Sequence, residues 1–216
     1  KKDFLKENDF KNIDIHANTA AEIFNVELDK VTKEQRRVAK TVNFGVLYGM
    51  SPYGLSEALG ISGTEASQYI KKYFEIHRGI KDYCNQMIKF AEENGYTETL
   101  FGFRRQLTNL NSRIPSLRES EERMAINAPV QGTAAEVLKL AMINLDKELK
   151  SYNKNGQVAR MLLTVHDELV VEASDSIANK IAKLTKETME SVIKLNIPLN
   201  CEVEIGKNWG EMRVLS

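Results

Sequence analysis

Apolar residues spaced three and four positions apart predict that the first part of the chain is mostly helical. Helical spacing extends over residues 1–30 and is clearest from Asp14 to Phe24. The residues of that run expected to face inward are Ile15, Ala20, Ile23 and Phe24. Two further helices are predicted over residues 52–60 and 64–94, with a short break between them that is bounded by glycines.

The helix predicted over residues 33–48 carries the most distinctive pattern. Thr32 followed three residues later by Gln35 forms a capping-box pattern at its start, and Gly49 favours a C-terminal cap at its end. Four of its residues recur at every fourth position and therefore share one face, which we call the stripe: Arg36, Lys40, Phe44 and Tyr48.

The stripe has the length and the chemistry of a nucleotide-binding surface. At about 1.5 Å of rise per residue it is roughly 18 Å long, enough to lie along a nucleoside triphosphate. Its cations suit phosphates and its rings suit a base. Spacing alone also fits solvated charges beside two core rings. That alternative is weakened because the helix has a separate apolar face formed by Val42, Val46 and Leu47.

The middle of the chain is predicted to combine a hairpin with helices. The segment from Gly95 to Leu107 should form a short hairpin that turns near Gly102. A helix is expected from about Leu117, and Pro129 should kink or interrupt it. A long apolar helix is then expected over residues 132–149.

Polar residues around that proline form a second regular face. They are four apart: Arg123, Asn127 and Gln131. One guanidinium and two carboxamides can hydrogen-bond base edges or sugars in the minor groove, where acceptors recur whatever the sequence. A solvated polar surface would have the same spacing, so both interpretations stay open at this point.

The C-terminal part is predicted to contain strands. Two apolar strands over residues 158–165 and 169–173 are separated by charged residues at a hairpin tip, namely His166, Asp167 and Glu168. Adjacent carboxylates point to opposite faces of a regular strand, so both could face one ion only if the turn twists them. Asp167 is the better candidate metal ligand of the two.

A helix and a last strand complete the pattern. The helix is predicted over residues 175–195 and the strand over residues 199–205, with Cys201, Val203 and Ile205 on one face. Helices followed by strand, strand, helix and strand favour an α+β fold, in which a helical part precedes an antiparallel hairpin with packed helices.

Composition narrows the class of protein. The 216 residues, 42% hydrophobic and 28% charged, suffice for one large domain or two modest ones. Thirty basic and thirty acidic residues cancel, so any anion binding must be local. Two isolated cysteines exclude a disulfide framework or a zinc site, and no apolar run is long enough to predict a membrane span. The chain begins without Met, and we expect it to be the tail of a longer polypeptide.

Taken in order, these motifs resemble the DNA polymerase I type, or family A, DNA polymerases. The stripe with Gly49 resembles the fingers helix of that family, and residues 165–168 resemble its palm hairpin. Supporting matches are Asp14-Ile15-His16, Gly95 to Arg105, Asn127 to Ala134 and the end near Asn208-Trp209. The resemblance implies a fingers subdomain with a short palm lead-in over residues 1–117 and the C-terminal part of the palm over residues 118–216.

The resemblance implies roles for the candidate residues. Those that would bind the incoming deoxynucleoside triphosphate (dNTP) are His16, Arg36, Lys40, Phe44 and Tyr48. Those that would contact primer-template DNA are Arg123, Asn127, Gln131 and His166. The implied catalytic residues are Asp167, Glu168 and Lys40. Phe103 stands where the family commonly has a basic residue, which weakens the expectation of contacts from that turn.

The implied cofactor is a pair of Mg²⁺ ions. Asp167 would bind them together with an aspartate from an Asp-Tyr-Ser-x-Ile-Glu-type strand, which this chain does not contain. We therefore expect the chain to act with the preceding part of its polypeptide, as a monomer, and the isolated fragment to be inactive. The implied setting is the cytoplasm of a bacterium, at the nucleoid, or an organelle of bacterial ancestry.

Two alternatives differ from template-directed DNA synthesis. One is a nucleotide- or DNA-binding module without catalysis, which primer extension would distinguish. The other is a single-subunit RNA polymerase of related architecture, which would incorporate ribonucleotides. Phe44 and the stretch from Asn127 to Ala134 favour the DNA enzyme.

Overall fold

The computed structural model describes residues 14–153 and 158–215. The described residues fall into two units, one ending at Thr133 and the other starting at Ala134. The helical pattern noted at residues 1–13 lies outside the described residues. The fold is α+β, as predicted from the order of the elements. The division into subdomains near residue 117 stays a prediction.

Among the described residues, five α-helices precede the first hairpin: α1 (Ile15–Phe24), α2 (Lys33–Leu47), α3 (Pro52–Leu59), α4 (Gly63–Ile76) and α5 (Arg78–Asn94). They pack around one apolar cluster formed by Ile23, Val38, Val42, Val46, Leu55, Ala66 and Tyr73. The inward placement of Ala20 and Ile23 is confirmed, and Phe24 packs against the cluster. The placement of Ile15 is wrong, because its position in the first turn leaves it 48% exposed.

The boundaries of α2 follow from local hydrogen bonds. Thr32 Oγ1 accepts from the Gln35 backbone N–H, and the Gln35 side chain accepts from the Thr32 N–H, so the predicted capping box is confirmed. After the helix, Gly49 has a φ of +72°, a left-handed conformation that glycine adopts without steric cost. The capping box and Gly49 therefore mark the start and the end of the helix that carries the stripe, as the sequence predicts.

The single helix predicted over residues 64–94 is wrong, because the chain breaks at His77. That residue has φ −99° and ψ 58°, well away from helical values. Its ring packs against Tyr73 with centroids 4.6 Å apart, and its Nε2 lies 3.4 Å from Glu22 Oε2. The apolar pattern continues across the break, so the sequence gives no sign of it.

The predicted hairpin is confirmed as β1 (Tyr96–Glu98) paired antiparallel with β2 (Arg104–Gln106), with Gly102 at φ +88° in the turn. Arg104 and Arg105 are exposed. Arg104 pairs with Glu98 at 2.6 Å and lies over the Tyr96 ring.

A single helix, α6 (Pro115–Tyr152), follows and continues through Pro129. The expected interruption is therefore wrong. Proline has no N–H for the carbonyl of Ala125, four residues earlier, and the Thr97 hydroxyl donates to that carbonyl at 3.1 Å. Tyr83 Oη donates to the next carbonyl, that of Ile126, at 3.0 Å. Side chains from other elements thus satisfy the backbone around the proline.

The second unit contains the remaining part of α6, β3 (Ala159–Val165), β4 (Glu168–Ala173) and α7 (Ala178–Ser191). Strands β3 and β4 pair antiparallel, with Val165 opposite Glu168, which confirms the predicted hairpin. The unit's core consists of Leu145, Leu149, Ala159, Ile177 and Ile181.

The last predicted strand is shorter than expected. Only β5 (Glu204–Ile205) pairs, with β6 (Arg213–Val214), although the alternating burial predicted for Cys201, Val203 and Ile205 is present. Apolar residues alternate with polar ones beyond the paired residues, and for this reason the strand predicted from the sequence is too long.

Candidate functional site: an exposed helix face and a hairpin tip

Helix α2 presents the stripe on its exposed side. Phe44 is 45% exposed and Tyr48, the residue that caps the helix, is 39% exposed. The opposite side buries Val42 and Val46 in the core. The alternative in which the two rings are core residues is therefore wrong, since the apolar face fills the core without them.

Aromatic rings form a continuous row at the stripe. The Phe44 and Tyr48 rings lie 6.2 Å apart between centroids and are nearly parallel, with 14° between their planes. The His16 ring lies 5.5 Å from Phe44 and is tilted by 54°. Helix α1 thus brings His16 beside the stripe, next to a flat apolar surface on which a planar group could stack.

The cationic end of the stripe is fixed by an acidic residue. Arg36 Nε donates to Asp14 Oδ2 at 2.7 Å. Asp14 Oδ1 in turn accepts the backbone N–H groups of His16 and Ala17 and so caps the N-terminus of α1. The hydrogen bond from Arg36 is the largest cause that lowers the pKa of Asp14 below its usual value, so its carboxylate stays ionised.

His16 is close to both cations of the stripe. Burial lowers the pKa of its imidazole below the usual value, and the positive charges of Arg36 and Lys40 lower it further, while Asp14 opposes them. At neutral pH the site therefore combines the cationic side chains of Arg36 and Lys40 with a neutral imidazole. Such a combination can bind several anionic oxygens without requiring three adjacent positive charges.

The other end of the stripe touches α6. A Cβ atom added at Gly49 would lie 2.6 Å from Arg123 Cγ, so only glycine leaves room for the Arg123 stem. Asn127 Nδ2 donates to the Tyr48 carbonyl at 3.4 Å. The structure thus brings Arg123 and Asn127 to the aromatic end of the stripe. Gln131 lies one turn further along α6 and is exposed.

The tip of the β3–β4 hairpin belongs to the second unit. His166 adopts a left-handed conformation, with φ +54°, and His166, Asp167 and Glu168 are all exposed. Both carboxylate residues line a cleft of about 530 Å³ that also contacts Trp209. Among the described residues, neither carboxylate group has a hydrogen-bonded or ion-paired partner.

Carboxylate oxygens are the donors that Mg²⁺ prefers, so Asp167 and Glu168 fit that ion by chemistry. Within the parts of the chain that the structure describes, no group of three or more His, Cys, Asp or Glu side chains could hold a metal. The two carboxylates of the tip are by themselves fewer than such a group requires.

Two residues that contact the site were not assigned a role from the sequence. Asp14 pairs with Arg36, and Asn43 lies between His16 and Thr19, with its amide 3.0 Å and 3.1 Å from them. An Asp just before an apolar helical run is a recognisable N-cap signal. The partner of Asn43 has no such local signal, since it lies on another helix.

None of the helices in residues 14–153 and 158–215 is long and apolar enough to cross a membrane.

Comparisons with known proteins agree with the order of the motifs. Residues 2–211 match the profile of DNA polymerase family A. The chain is 50% identical over 196 residues to DNA polymerase I of Deinococcus radiodurans, covering 91% of the chain and 20% of that protein. It is 47% identical over 196 residues to the thermostable DNA polymerase I of Thermus aquaticus, covering 91% and 23%. The chain therefore spans about a fifth of the length of these relatives.

Among solved structures, the POL domain of Pol1 from M. smegmatis, in complex with DNA primer-template and dNTP, matches with a TM-score of 0.84 and 40% identity. The match covers 92% of this chain and 35% of that one.

Proposed function

The chain belongs to DNA polymerase family A, and from this we propose that it supplies the nucleotide-binding helix and a metal-binding carboxylate of a template-directed DNA polymerase. One observation carries the proposal: Arg36, Lys40, Phe44 and Tyr48 form one exposed face with cations at one end and stacked rings at the other, and the half-buried His16 ring lies beside it. A dNTP has matching chemistry, since its phosphates are anionic and its base is flat.

The stripe would orient the nucleotide along α2. Arg36 and Lys40 bind the triphosphate oxygens by charge-assisted hydrogen bonds, and His16 adds a neutral donor. Phe44 stacks on the base or sugar, and Tyr48 lies near the templating position. Lys40 also offsets negative charge that develops on the phosphates during transfer, so we count it among the catalytic residues.

The surface next to Tyr48 would bind DNA. Arg123 and Asn127 contact primer and template in the minor groove near the growing end, with Gln131 one turn further along. His166, at the hairpin tip, contacts the primer terminus. In support, the structural relative is a complex with DNA primer-template and dNTP.

Asp167 would hold Mg²⁺, with Glu168 as an auxiliary carboxylate. Ions held there would supply Lewis-acid chemistry, making a primer 3′-hydroxyl more acidic and offsetting the negative charge of pyrophosphate. This chain's own contribution is to place exposed carboxylate oxygens at a tight two-residue tip, where β4 begins directly after Asp167. The remaining ligands come from an aspartate outside the chain.

The wider setting follows the same proposal. Residues 1–117 would be the fingers with a palm lead-in and residues 118–216 the C-terminal part of the palm. The chain would work as part of a longer monomeric polypeptide, in a bacterial cytoplasm at the nucleoid. The incoming substrate is a deoxynucleotide, and the reaction adds its nucleotidyl group to a primer 3′-hydroxyl.

Primer extension by the complete polypeptide that carries this chain tests the proposal. We expect extension with dNTPs on a primed template, little with ribonucleotides, and none with Asp167→Ala. Preferential use of ribonucleotides would favour the related RNA polymerase class. Extension that is unaffected by Asp167→Ala would refute the metal-binding assignment.

For the 216-residue chain alone we propose binding without catalysis, because its described residues hold only part of a metal ligand set. Titration of the isolated chain with a dNTP should show binding, while primer extension should not occur. Extension by the isolated chain would contradict this second proposal.

A further inference from the structure

A residue outside the stripe holds His16 in place. Asn43 precedes Phe44 on α2 and is half-buried against α1. Its amide nitrogen lies 3.0 Å from His16 Nδ1, and its amide oxygen accepts from Thr19 Oγ1 at 3.1 Å. Thr19 is buried, and its single hydroxyl proton is shared between Asn43 Oδ1 and the Ile15 carbonyl, which lies 2.9 Å from Oγ1. The shared proton keeps the amide oxygen on the side of α1.

This arrangement determines the protonation of His16. An amide nitrogen can only donate, so the His16 Nδ1 that faces it must accept. An imidazole that accepts at Nδ1 is neutral and carries its proton on Nε2. The same contact fixes the ring beside Phe44, at a centroid distance of 5.5 Å.

We infer that Asn43 is a positioning residue, which keeps His16 neutral and directs its single Nε2–H donor toward the phosphate oxygens that Arg36 and Lys40 bind. The inference rests on the proposed nucleotide-binding function of the stripe. It gives Asn43 an effect on substrate binding that it exerts through His16, without contacting the substrate.

The surrounding charges support a neutral ring. The titratable and charged groups that face His16 are Asp14, Arg36 and Lys40. The carboxylate of Asp14 would favour an imidazolium, but it is already paired with Arg36 at 2.7 Å. Burial and the two cations oppose a third positive charge. Asn43 adds a geometric reason to the electrostatic one.

Nitrogen NMR of the complete polypeptide, labelled with ¹⁵N-histidine, reads the tautomer directly. This chain contributes three of the polypeptide's histidines, and the signal that is missing from the spectrum of His16→Gln is that of His16. We expect the Nε2–H tautomer in the wild type and a pKa below the usual value. Asn43→Asp should raise the pKa of His16 and favour the imidazolium, since a carboxylate accepts the Nδ1 proton. An Nδ1–H tautomer in the wild type would overturn the inference, because the amide would then face the ring with its oxygen.

Kinetics test whether Asn43 acts through His16. Asn43→Ala should raise the KM for dNTPs about threefold to tenfold, as expected for a lost hydrogen bond, with a smaller change in kcat. In a His16→Gln background the same change should add little, because the group that it positions is gone. Thr41→Ala, on the same helix, is the matched control and should leave the KM unchanged.

The possible failures are distinguishable. An unchanged KM for His16→Gln would refute the phosphate-binding role of His16 and the inference with it. A raised KM for His16→Gln together with full additivity of Asn43→Ala would leave the proposed function intact and overturn the inference alone. Asn43→Asp keeps the shape of the side chain, so its NMR result stands even if Asn43→Ala lowers the stability of the fold.

Discussion

The α1–α2 helix pair and the β3–β4 hairpin both carry residues to which the proposed function assigns a role, but the two regions hold these residues differently. On the helices, Arg36 is tied to Asp14, His16 to Asn43, and the Phe44 ring lies between two others. Asp14, Arg36 and Phe44 are exposed and His16 is half-buried, and all four are fixed by contacts within one unit.

The hairpin shows the opposite arrangement. Asp167 and Glu168 are exposed, and their carboxylate groups contact no hydrogen-bonding partner among the described residues. Strand β3 also leaves Leu162 and Leu163 exposed, at 53% and 44%. The backbone of the tip is well defined by its register, whereas its acidic side chains are not held by other side chains.

The difference between the two regions agrees with the chemistry of the two ligands that we propose for them. Phosphates need fixed donors, and donors can be oriented in advance by a neighbouring carboxylate or amide. A divalent ion needs several anionic oxygens, and these repel one another until the ion is present. A binding surface can therefore be complete within one helix pair, while a metal site draws its ligands from separate segments.

The largest effect is expected from Asp167→Asn in the complete polypeptide. Loss of a metal ligand removes charge stabilisation in the transition state, so kcat should fall about a hundredfold or more. The KM for dNTPs should change much less, because the stripe is intact. Single-turnover primer extension measures both, with the exposed Asp175→Asn as the control. If kcat and dNTP affinity fell by the same factor, the proposal that the hairpin acts in catalysis and the stripe in nucleotide binding would be contradicted.

A smaller effect is expected for Lys40→Ala, and it should fall on the binding of the triphosphate. Removing a charge-assisted hydrogen bond should weaken triphosphate binding about tenfold to a hundredfold while duplex binding changes little. Lys33→Ala removes an exposed cation from the start of the same helix and should affect neither. If titration shows equal losses for duplex and triphosphate with Lys40→Ala, the stripe does not face the nucleotide.

Arg123→Ala should affect the DNA partner. We expect primer-template affinity to fall by about tenfold, because one hydrogen bond from a charged group is lost, with dNTP binding less affected. Arg113→Ala is a matched exposed control on the segment before α6. A preferential loss of dNTP affinity would instead assign Arg123 to the stripe, which it touches at Gly49.

The smallest effect concerns pH. Folding lowers the pKa of His16 below its ordinary value of 6.5. The neutral imidazole therefore contributes its full stabilisation of the fold above pH 6.5. This contribution is lost as the pH falls from 6.5 through the lowered pKa. The free energy of unfolding, measured with urea between pH 5 and 8, should therefore fall less on acidification in His16→Gln than in the wild type. An identical pH dependence would mean that the folded and unfolded pKa values of His16 are the same.

Elements whose signals are local can be predicted from the amino-acid sequence alone. Thr32 and Gln35 fix the start of α2, and the four-residue period then places Arg36, Lys40, Phe44 and Tyr48 on one face. The hairpin tip at Asp167 was equally readable, because two apolar strands flank it closely. Each of these features depends on residues a few positions apart, which is the range over which helix and strand geometry acts.

Features that depend on residues far apart in the chain follow from how the helices pack. Helix α6 continues through Pro129, where Thr97 donates to the Ala125 carbonyl that the proline leaves without its helical donor and Tyr83 donates to the next carbonyl. The break at His77 coincides with contacts of its ring to Tyr73 and Glu22. Arg36 meets Asp14 across 22 positions and His16 meets Asn43 across 27. The spacing of residues along the chain does not predict such pairs, because it is the packing of the helices against a shared core that brings the partners together.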